Sequence, residues 1–253
     1  MARPRVCVTG STEGIGFAIA KAFAVSGARI VINSHKENIS ALAELSKHSE
    51  CHFVQADLST EGGAKHLIEQ AYEKLGGLDT LVNNAGTFTD VDFGDLREEM
   101  FDRAFNLNVK GYLFAAQRFA EMVSNEANGA SVICVGSTNS LMAEKNSVIY
   151  DSTKGAILMM VRSLAVTLAD RGIRVNGIGP GIVETPLTKS GLDLGETRAV
   201  LRGQIPLGRI GDARDIGGAA VFLASPEASY ITGQMLYIGG GIVARQMSWD
   251  PTN

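Results

Sequence analysis

The feature that most restricts the fold is a repeating alternation inside a long stretch without proline. Pro4 is followed by no other proline until Pro180, after which come Pro186, Pro206, Pro226 and Pro251. Proline interrupts helices and central strands alike, so residues 5–179 are free to form uninterrupted regular structure. Within them, short β-rich apolar runs fall at 5–9, 29–33, 52–55, 80–83, 131–135 and 174–178. Between these runs, apolar residues recur at helical spacing over 14–26, 38–47, 61–75, 98–123 and 147–171. A further helix reads at 213–224 with Asp212 as its N-cap, and a last strand at 235–238. The apolar runs are continuous rather than alternating, the pattern of strands covered on both faces. Such strand–helix alternation predicts an α/β doubly wound parallel sheet of about seven strands with helices on both faces.

No linker, repeat or low-complexity tract divides the 253 residues, so one domain is expected over 1–253. A chain of this length buries a sufficient core without a disulfide or metal. Its formal net charge of −4 argues against a dedicated nucleic-acid binder and against polybasic docking on a membrane. Cys7, Cys51 and Cys134 include no CxxC pair. Cys7 and Cys134 lie inside apolar runs, so buried free thiols and a reducing compartment are expected. His48, Cys51 and His52 match no zinc spacing, and no metal site is expected. The N-terminus shows no signal-peptide core, and no apolar run approaches the roughly 18 residues of a membrane span. The last residues, 250–253, carry no retention or peroxisomal signal. A cytoplasmic protein is expected.

Ligands of doubly wound sheets bind beyond the carboxyl ends of the strands. After the first run comes Thr9-Gly10-Ser11-Thr12-Glu13-Gly14-Ile15-Gly16, and then a helix. Glycine permits a tight turn, and missing side chains let a pyrophosphate approach the backbone at a helix N-terminus. The spacing is GxxxGxG, and in a chain with 29 glycines the motif by itself also suits a plain strand–helix turn. Tyr150 and Lys154 stand one helical turn apart on one face. An ammonium near a phenol favours the phenolate and lowers the phenol pKa. Ser137 lies upstream, in the loop leaving the fifth strand, with Asn139 and Ser140 as further polar residues. Ser140 is the alternative serine, and Glu144 with Lys145 reads as a solvated pair.

Taken together, these motifs resemble the short-chain dehydrogenase/reductase family over nearly the whole chain. The resemblance rests on Thr9–Gly16, Asp57-Leu58, Asn83-Asn84-Ala85-Gly86, Asn108, Ser137, Tyr150 with Lys154, and Pro180-Gly181. The late segments 228–233 and 239–241 add to it. It implies a Rossmann-type fold, a nicotinamide cofactor and a set of roles. Tyr150 becomes the general acid/base, Lys154 lowers its pKa and bonds the nicotinamide ribose, and Ser137 bonds the substrate oxygen. Asn108 holds a water that links Lys154 to solvent. Gly10, Ser11, Thr12, Gly14, Ile15 and Gly16 form the phosphate turn. Asp57, Leu58, Asn84, Ala85 and Gly86 lie on the adenosine and ribose side. Pro180, Gly181, Val183 and Thr185 lie at the carboxamide, and a substrate lid is placed around 186–205.

An NAD-preferring site of this fold carries an acid about 20 residues after the first glycine. Residues 17–36 contain none, and Ser34, His35 and Lys36 stand at the end of the second strand. A hydroxyl and cations there suit a 2′-phosphate, so NADP(H) is expected, with NAD(H) as the alternative. Glu13 opposes this. The expected activity is interconversion of a ketone and a secondary alcohol, with likeness to the carbonyl reductase branch. The alternatives are a 3-oxoacyl-carrier-protein reductase, or an NAD-dependent alcohol, sugar or steroid dehydrogenase. Residues 124–129 offer no Lys or Arg to an acidic carrier. Intact Asn108, Ser137, Tyr150 and Lys154 argue against a catalytically dead regulator. The helix over 147–171 is apolar on most sides, and with 98–123 it predicts a homotetramer, as the family commonly builds.

Overall fold

The computed structural model describes residues 3–123 and 129–245. Its strands are β1 (Arg5–Val8), β2 (Arg29–Ser34), β3 (Cys51–Gln55), β4 (Thr80–Asn83), β5 (Ser131–Val135), β6 (Arg174–Pro180), β7 (Val183–Glu184), β8 (Gly211–Asp212) and β9 (Met235–Ile238). Seven of them form one sheet in the order β3-β2-β1-β4-β5-β6-β9, and every pairing in it is parallel. The chain steps outward from β1 to β3, then returns to lay β4 on the other side of β1. A crevice therefore opens between β1 and β4 at the carboxyl edge.

The helices are α1 (Gly14–Val25), α2 (Ile39–Ser46), α3 (Gly63–Leu75), α4 (Glu98–Phe105), α5 (Gly111–Val123), α6 (Val148–Leu168), α7 (Lys189–Leu192), α8 (Thr197–Gln204) and α9 (Arg214–Ala224). Successive strand residues point to opposite faces, so the continuous apolar runs feed two cores. Cys7, Val31, Leu81, Val132 and Val175 pack with α3, α5 and α6. Val6, Val8, Ile30, Ile32, Val82, Ile133 and Ile178 pack with α1, α2 and α9. Burial pushes the Cys7 and Cys134 thiols up to about 12, and all three cysteines are free.

The structure departs from the sequence reading in four places. The expected helix 98–123 is broken by a π-helical turn, Asn106–Lys110, between α4 and α5. Such bulges widen the helix by one residue and re-aim its side chains, and this one carries Asn108. Asp212 does not cap α9 itself, because Ala213 is the N-cap. Instead the Asp212 carboxylate accepts the Arg214 N–H (2.8 Å) while Asp215 accepts the Asp212 N–H (2.8 Å), a reciprocal lock one residue earlier. The two-residue strands β7 and β8, which pair with each other, are too short to show any period. β6 runs on to Pro180, whose register partner is Ile238 at the end of β9. Residues 148–171 are long and apolar enough to cross a membrane by length and composition. Here that helix lies on the sheet, with Ile157, Val161, Ala165 and Leu168 in the core.

Candidate active site

At the end of β1 the chain makes a turn only glycine accommodates. Gly10 and Gly14 both adopt φ +56°, and a Cβ at Gly10 would lie 2.7 Å from the Ala85 Cα. A Cβ on Gly16 would collide with the Asn84 side chain and the Gly10 carbonyl. Thr9 and Asn84, both in the quoted motifs, and Asn33, which the sequence reading did not single out, hold it. Thr9 is fully buried, and its hydroxyl oxygen accepts the N–H groups of Asn84 (2.8 Å) and Ala85 (2.9 Å). The Asn84 amide donates back to the carbonyls of Thr9 (3.0 Å) and Gly10 (2.8 Å), so this side chain clamps β4 to the turn. Asn33, also buried, gives its side-chain oxygen to the Gly10 N–H (3.2 Å) and its amide N–H groups to the carbonyls of Val54 and Ala56 (3.1 Å each). Their signal in the sequence is a polar residue at the end of an apolar strand. Ser11 is engaged internally, donating to the Val8 carbonyl (2.6 Å) and accepting the Asn33 N–H (3.0 Å). Thr12 and Ile15 are half-buried on the lip of the turn. The first N–H groups of α1 have no partner within the helix and form the donor set an anion needs.

The neighbouring strand ends continue this edge. Ser34 is half-buried at the end of β2, and its oxygen accepts the Lys36 N–H at 3.3 Å. His35 and Lys36 are exposed beside it, and so is Glu13 across the turn. The Asp57 carboxylate accepts the Ser59 hydroxyl (2.6 Å) and N–H (2.9 Å). Those bonds, with His35 nearby, hold it below the usual carboxylate range. Leu58 is buried, with its carbonyl oxygen and Cβ against Gly111. Ala85 and Gly86 follow Asn84 on the floor of the crevice.

Further along the edge, Ser137, Tyr150 and Lys154 come together. Ser137 caps the short turn Thr138–Ser140, and its oxygen accepts the Asn139 N–H at 3.1 Å. Tyr150 sits in the first turn of α6, with the Phe88 ring edge-on at 4.9 Å. One turn later the Lys154 Nζ lies 5.3 Å from the centre of the Tyr150 ring and donates to the Val135 carbonyl at 3.1 Å. Burial pushes the Tyr150 phenol up to about 12; a hydrogen bond with Ser137 pulls it down, while Asp151 and Glu144 push it further up. Burial also lowers the neighbouring Lys154 ammonium, to about 8. Ser140, the alternative serine, donates to the Ser137 carbonyl (2.8 Å) and bonds the Tyr237 hydroxyl (2.9 Å), away from Tyr150.

Asn108 is fully buried. Its side-chain oxygen accepts the Thr87 N–H (2.9 Å), and its amide donates to the Thr87 carbonyl (3.0 Å) and the Thr153 hydroxyl (3.1 Å). Thr153 in turn donates to the Tyr150 carbonyl at 2.7 Å. Both amide hydrogens are engaged by protein, so the side chain ties the β4 loop to α6. At the end of β6, a Cβ on Gly181 would lie 2.6 Å from the Gly239 Cα. Beyond it Val183 is buried, and Thr185 stands against Gly14. The glycine turn and the 181–186 corner thus face each other across the crevice. Arg198 of α8 pairs with Glu184 (2.8 Å) and Asp193 (2.8 Å), holding the two short helices beside that corner.

A family model described as enoyl-(acyl carrier protein) reductase matches residues 10–243. The L-rhamnose 1-dehydrogenase (NAD(P)(+)) of Azotobacter vinelandii is 34% identical over 244 residues, 94% of this chain and 95% of that protein. The chain belongs to the short-chain dehydrogenase/reductase family. It is an NAD(P)-dependent dehydrogenase/reductase. Among solved members of the family, the 3-oxoacyl-[acyl-carrier protein] reductase from Brucella melitensis in complex with NAD superposes with a TM-score of 0.92 at 28% identity, covering 98% of this chain and 100% of that one. The gluconate 5-dehydrogenase from Burkholderia cenocepacia in complex with NADP and tartrate gives 0.88 at 28% identity, covering 97% of each chain. The seven-stranded parallel sheet and its flanking helices are this family's single-domain Rossmann-like fold.

Proposed function

We propose that this short-chain dehydrogenase/reductase interconverts a secondary alcohol and a carbonyl, with Tyr150 as general acid/base. The observation that carries the reading is the Ser137–Tyr150–Lys154 cluster, at the same sheet edge as the glycine turn. Bound along this edge, a nicotinamide cofactor supplies the hydride to a carbonyl carbon or accepts it from an alcohol carbon. The residues present fit it. Gly10 and Ser11, whose N–H groups are taken by Asn33, shape the turn; the N–H groups of Thr12, Gly14, Ile15 and Gly16 would hold the pyrophosphate, and Asp57, Leu58, Asn84, Ala85 and Gly86 would border the adenosine side. Pro180, Gly181, Val183 and Thr185 border the carboxamide. Tyr150 gives its proton to the carbonyl oxygen in reduction and takes it back in oxidation. Ser137 stabilises the charge on that oxygen. Lys154 bonds the ribose and, when charged, favours the phenolate. Asn108 fixes the wall between the β4 loop and α6, close to where the resemblance places a water. Residues 186–205, built as α7 and α8, form the lid of a single catalytic domain.

The substrate we favour is a neutral polyol or sugar. The relative named for L-rhamnose, a neutral sugar, supports it. So does the charge of the rim. Asp90 and Asp92 are exposed on the loop after β4, which bonds to the next rim segment through the Val91 N–H and the Asn146 carbonyl (3.0 Å). That segment carries Glu144 and Lys145, with Asp151 beside it, so four carboxylates stand against one ammonium. An acidic rim repels an acidic carrier protein. The carrier-reductase reading, favoured by the Brucella neighbour, therefore stands second. The stretch 124–129, whose lack of basic residues points the same way, lies almost wholly outside the described residues. For the cofactor we favour NADP(H) over NAD(H), since Ser34, His35 and Lys36 stand at the end of β2 with no acid among them.

We also infer a homotetramer, since Leu113 and Phe114 of α5 and Val148, Met159 and Val166 of α6 expose apolar surface. Three free cysteines support a cytoplasmic location. The test is turnover of a panel of ketones, aldoses and polyols with each cofactor. We expect activity with neutral sugars or polyols, and a higher kcat/KM with NADPH or NADP than with NADH or NAD. We expect the Ser34→Asp variant to shift toward NADH. Exclusive turnover of carrier-bound 3-oxoacyl groups would overturn the substrate assignment, and a wild-type preference for NADH the cofactor assignment.

A further inference from the structure

One network beside Ser137 links it to two of the rim carboxylates. Asn139 follows Ser137 in the short turn after β5, and both ends of its amide are committed. Its side-chain oxygen accepts the Ser137 hydroxyl at 3.1 Å. Its nitrogen donates to an Asp151 carboxylate oxygen at 2.7 Å and to a Glu144 carboxylate oxygen at 3.3 Å. Asp151 is itself anchored, because its other oxygen accepts the Glu144 N–H at 3.0 Å. We propose that Asn139, clamped by Asp151 and Glu144, is a positioning residue that holds the Ser137 hydroxyl in one rotamer, with its proton on the Asn139 oxygen, ready to be turned to the reacting oxygen. The proposal rests on the reading of Ser137, Tyr150 and Lys154 as the reaction centre.

The physical reasoning starts from the two ends of an amide. One end only accepts hydrogen bonds and the other only donates them. Turned over, the Asn139 oxygen would face two carboxylates, an arrangement with acceptors and no donor. The carboxylates therefore fix the amide with its oxygen on the Ser137 side, and charge-assisted bonds make that choice strong. Ser137 then has its proton on Asn139 and one lone pair on the Asn139 N–H, which pins the hydroxyl in one rotamer.

When charge develops on a substrate oxygen, the serine proton rotates from Asn139 to that oxygen. It exchanges a neutral hydrogen bond for a charge-assisted one, and no heavy atom has to move far. Asp151 adjoins Tyr150 in the chain, so the same carboxylate couples the serine turn to the first turn of α6. Glu144, expected from the sequence to be one half of a solvated pair with Lys145, is part of this clamp instead.

A residue that acts only through Ser137 has no effect once the Ser137 hydroxyl is gone. The test is a set of double-mutant cycles with purified full-length enzyme, saturating cofactor and the best substrate from the panel. We expect Asn139→Ala, which leaves the Ser137 hydroxyl unpinned and free to turn away from the reacting oxygen, to lower kcat about tenfold, the scale of one hydrogen bond. KM and cofactor Kd should stay within about twofold. In the Ser137→Ala background the same change should alter kcat by less than about twofold.

Asp151→Asn, which keeps the volume and one acceptor oxygen, is the second probe should Asn139→Ala fold poorly. It should lower kcat less than Asn139→Ala does, and its loss should also vanish in the Ser137→Ala background. An undiminished loss in that background, or unchanged kcat for both variants in the wild-type background, overturns the proposal. Wild-type turnover by Ser137→Ala alone would overturn the reading of the reaction centre, and it is seen before any Asn139 variant is made.

Discussion

Replacing Lys154 by methionine separates what the protein gains from this residue in catalysis from what the fold gives up to bury it. The side chain is 5% exposed, and burial lowers its pKa from 10.5 to about 8. That difference corresponds to about 3 kcal/mol between the charged and neutral forms. Between pH 8 and 10.5 the unfolded chain holds a proton that the folded chain has released. Wild-type stability therefore rises with pH across this window as far as Lys154 is concerned. Below pH 8 the folded protein carries the full cost of the buried ammonium; above 10.5 it carries none.

Methionine keeps the length of the side chain and removes the titration. It also loses the Nζ bond to the Val135 carbonyl, returning about 1–3 kcal/mol of the relief. At pH 7 the variant should thus be as stable as wild type or up to about 2 kcal/mol more stable. By pH 10 it should have fallen behind, the difference having moved by up to about 3 kcal/mol in favour of wild type. Titration of Tyr112 and Tyr150, both pushed up by burial, occurs in both proteins and largely cancels. Urea midpoints of both proteins at pH 7, 8, 9 and 10 measure the trend. A stability difference independent of pH would refute the buried-ammonium argument, whatever the activity does. Turnover of the variant should drop at least about 100-fold.

Tyr150→Phe removes only the hydroxyl, and kcat should fall at least about 100-fold with nearly unchanged cofactor Kd, read by steady-state kinetics and cofactor fluorescence. Gly10→Ala forces a side chain at φ +56° against Ala85; it should cost about 1–3 kcal/mol in denaturant melts and weaken cofactor binding about tenfold. Thr9→Val leaves the N–H groups of Asn84 and Ala85 without their acceptor. It should cost about 1–3 kcal/mol in the same melts, while Thr9→Ser, which keeps the oxygen, should cost less. Light scattering at micromolar concentration should give four chain masses, and a mass of 26.8 kDa would refute the tetramer.

The sheet was legible in the sequence because both its faces are buried. A strand covered on two sides must be apolar at every position, and such runs stand out between helix-period segments. The glycine turn was legible for a related reason: Gly10 and Gly16 have no room for a Cβ, Gly10 and Gly14 adopt a positive φ, and local sterics leave a mark on the chain. The one-turn spacing of Tyr150 and Lys154 is also local, since α6 delivers them to one face whatever lies opposite. What lies opposite was decided by the tertiary structure. The π turn at Asn106–Lys110 comes from how α4 and α5 meet the sheet and α6, and no helical period announces it. Asn33 and Asn84 become clamps only because β1, β2, β3 and β4 end side by side. Asn139, Glu144 and Asp151 meet because the turn after β5 folds back on the start of α6. The pKa values of Tyr150 and Lys154 belong to the same class. Desolvation depends on every atom packed around a group, and most of those atoms come from distant parts of the chain.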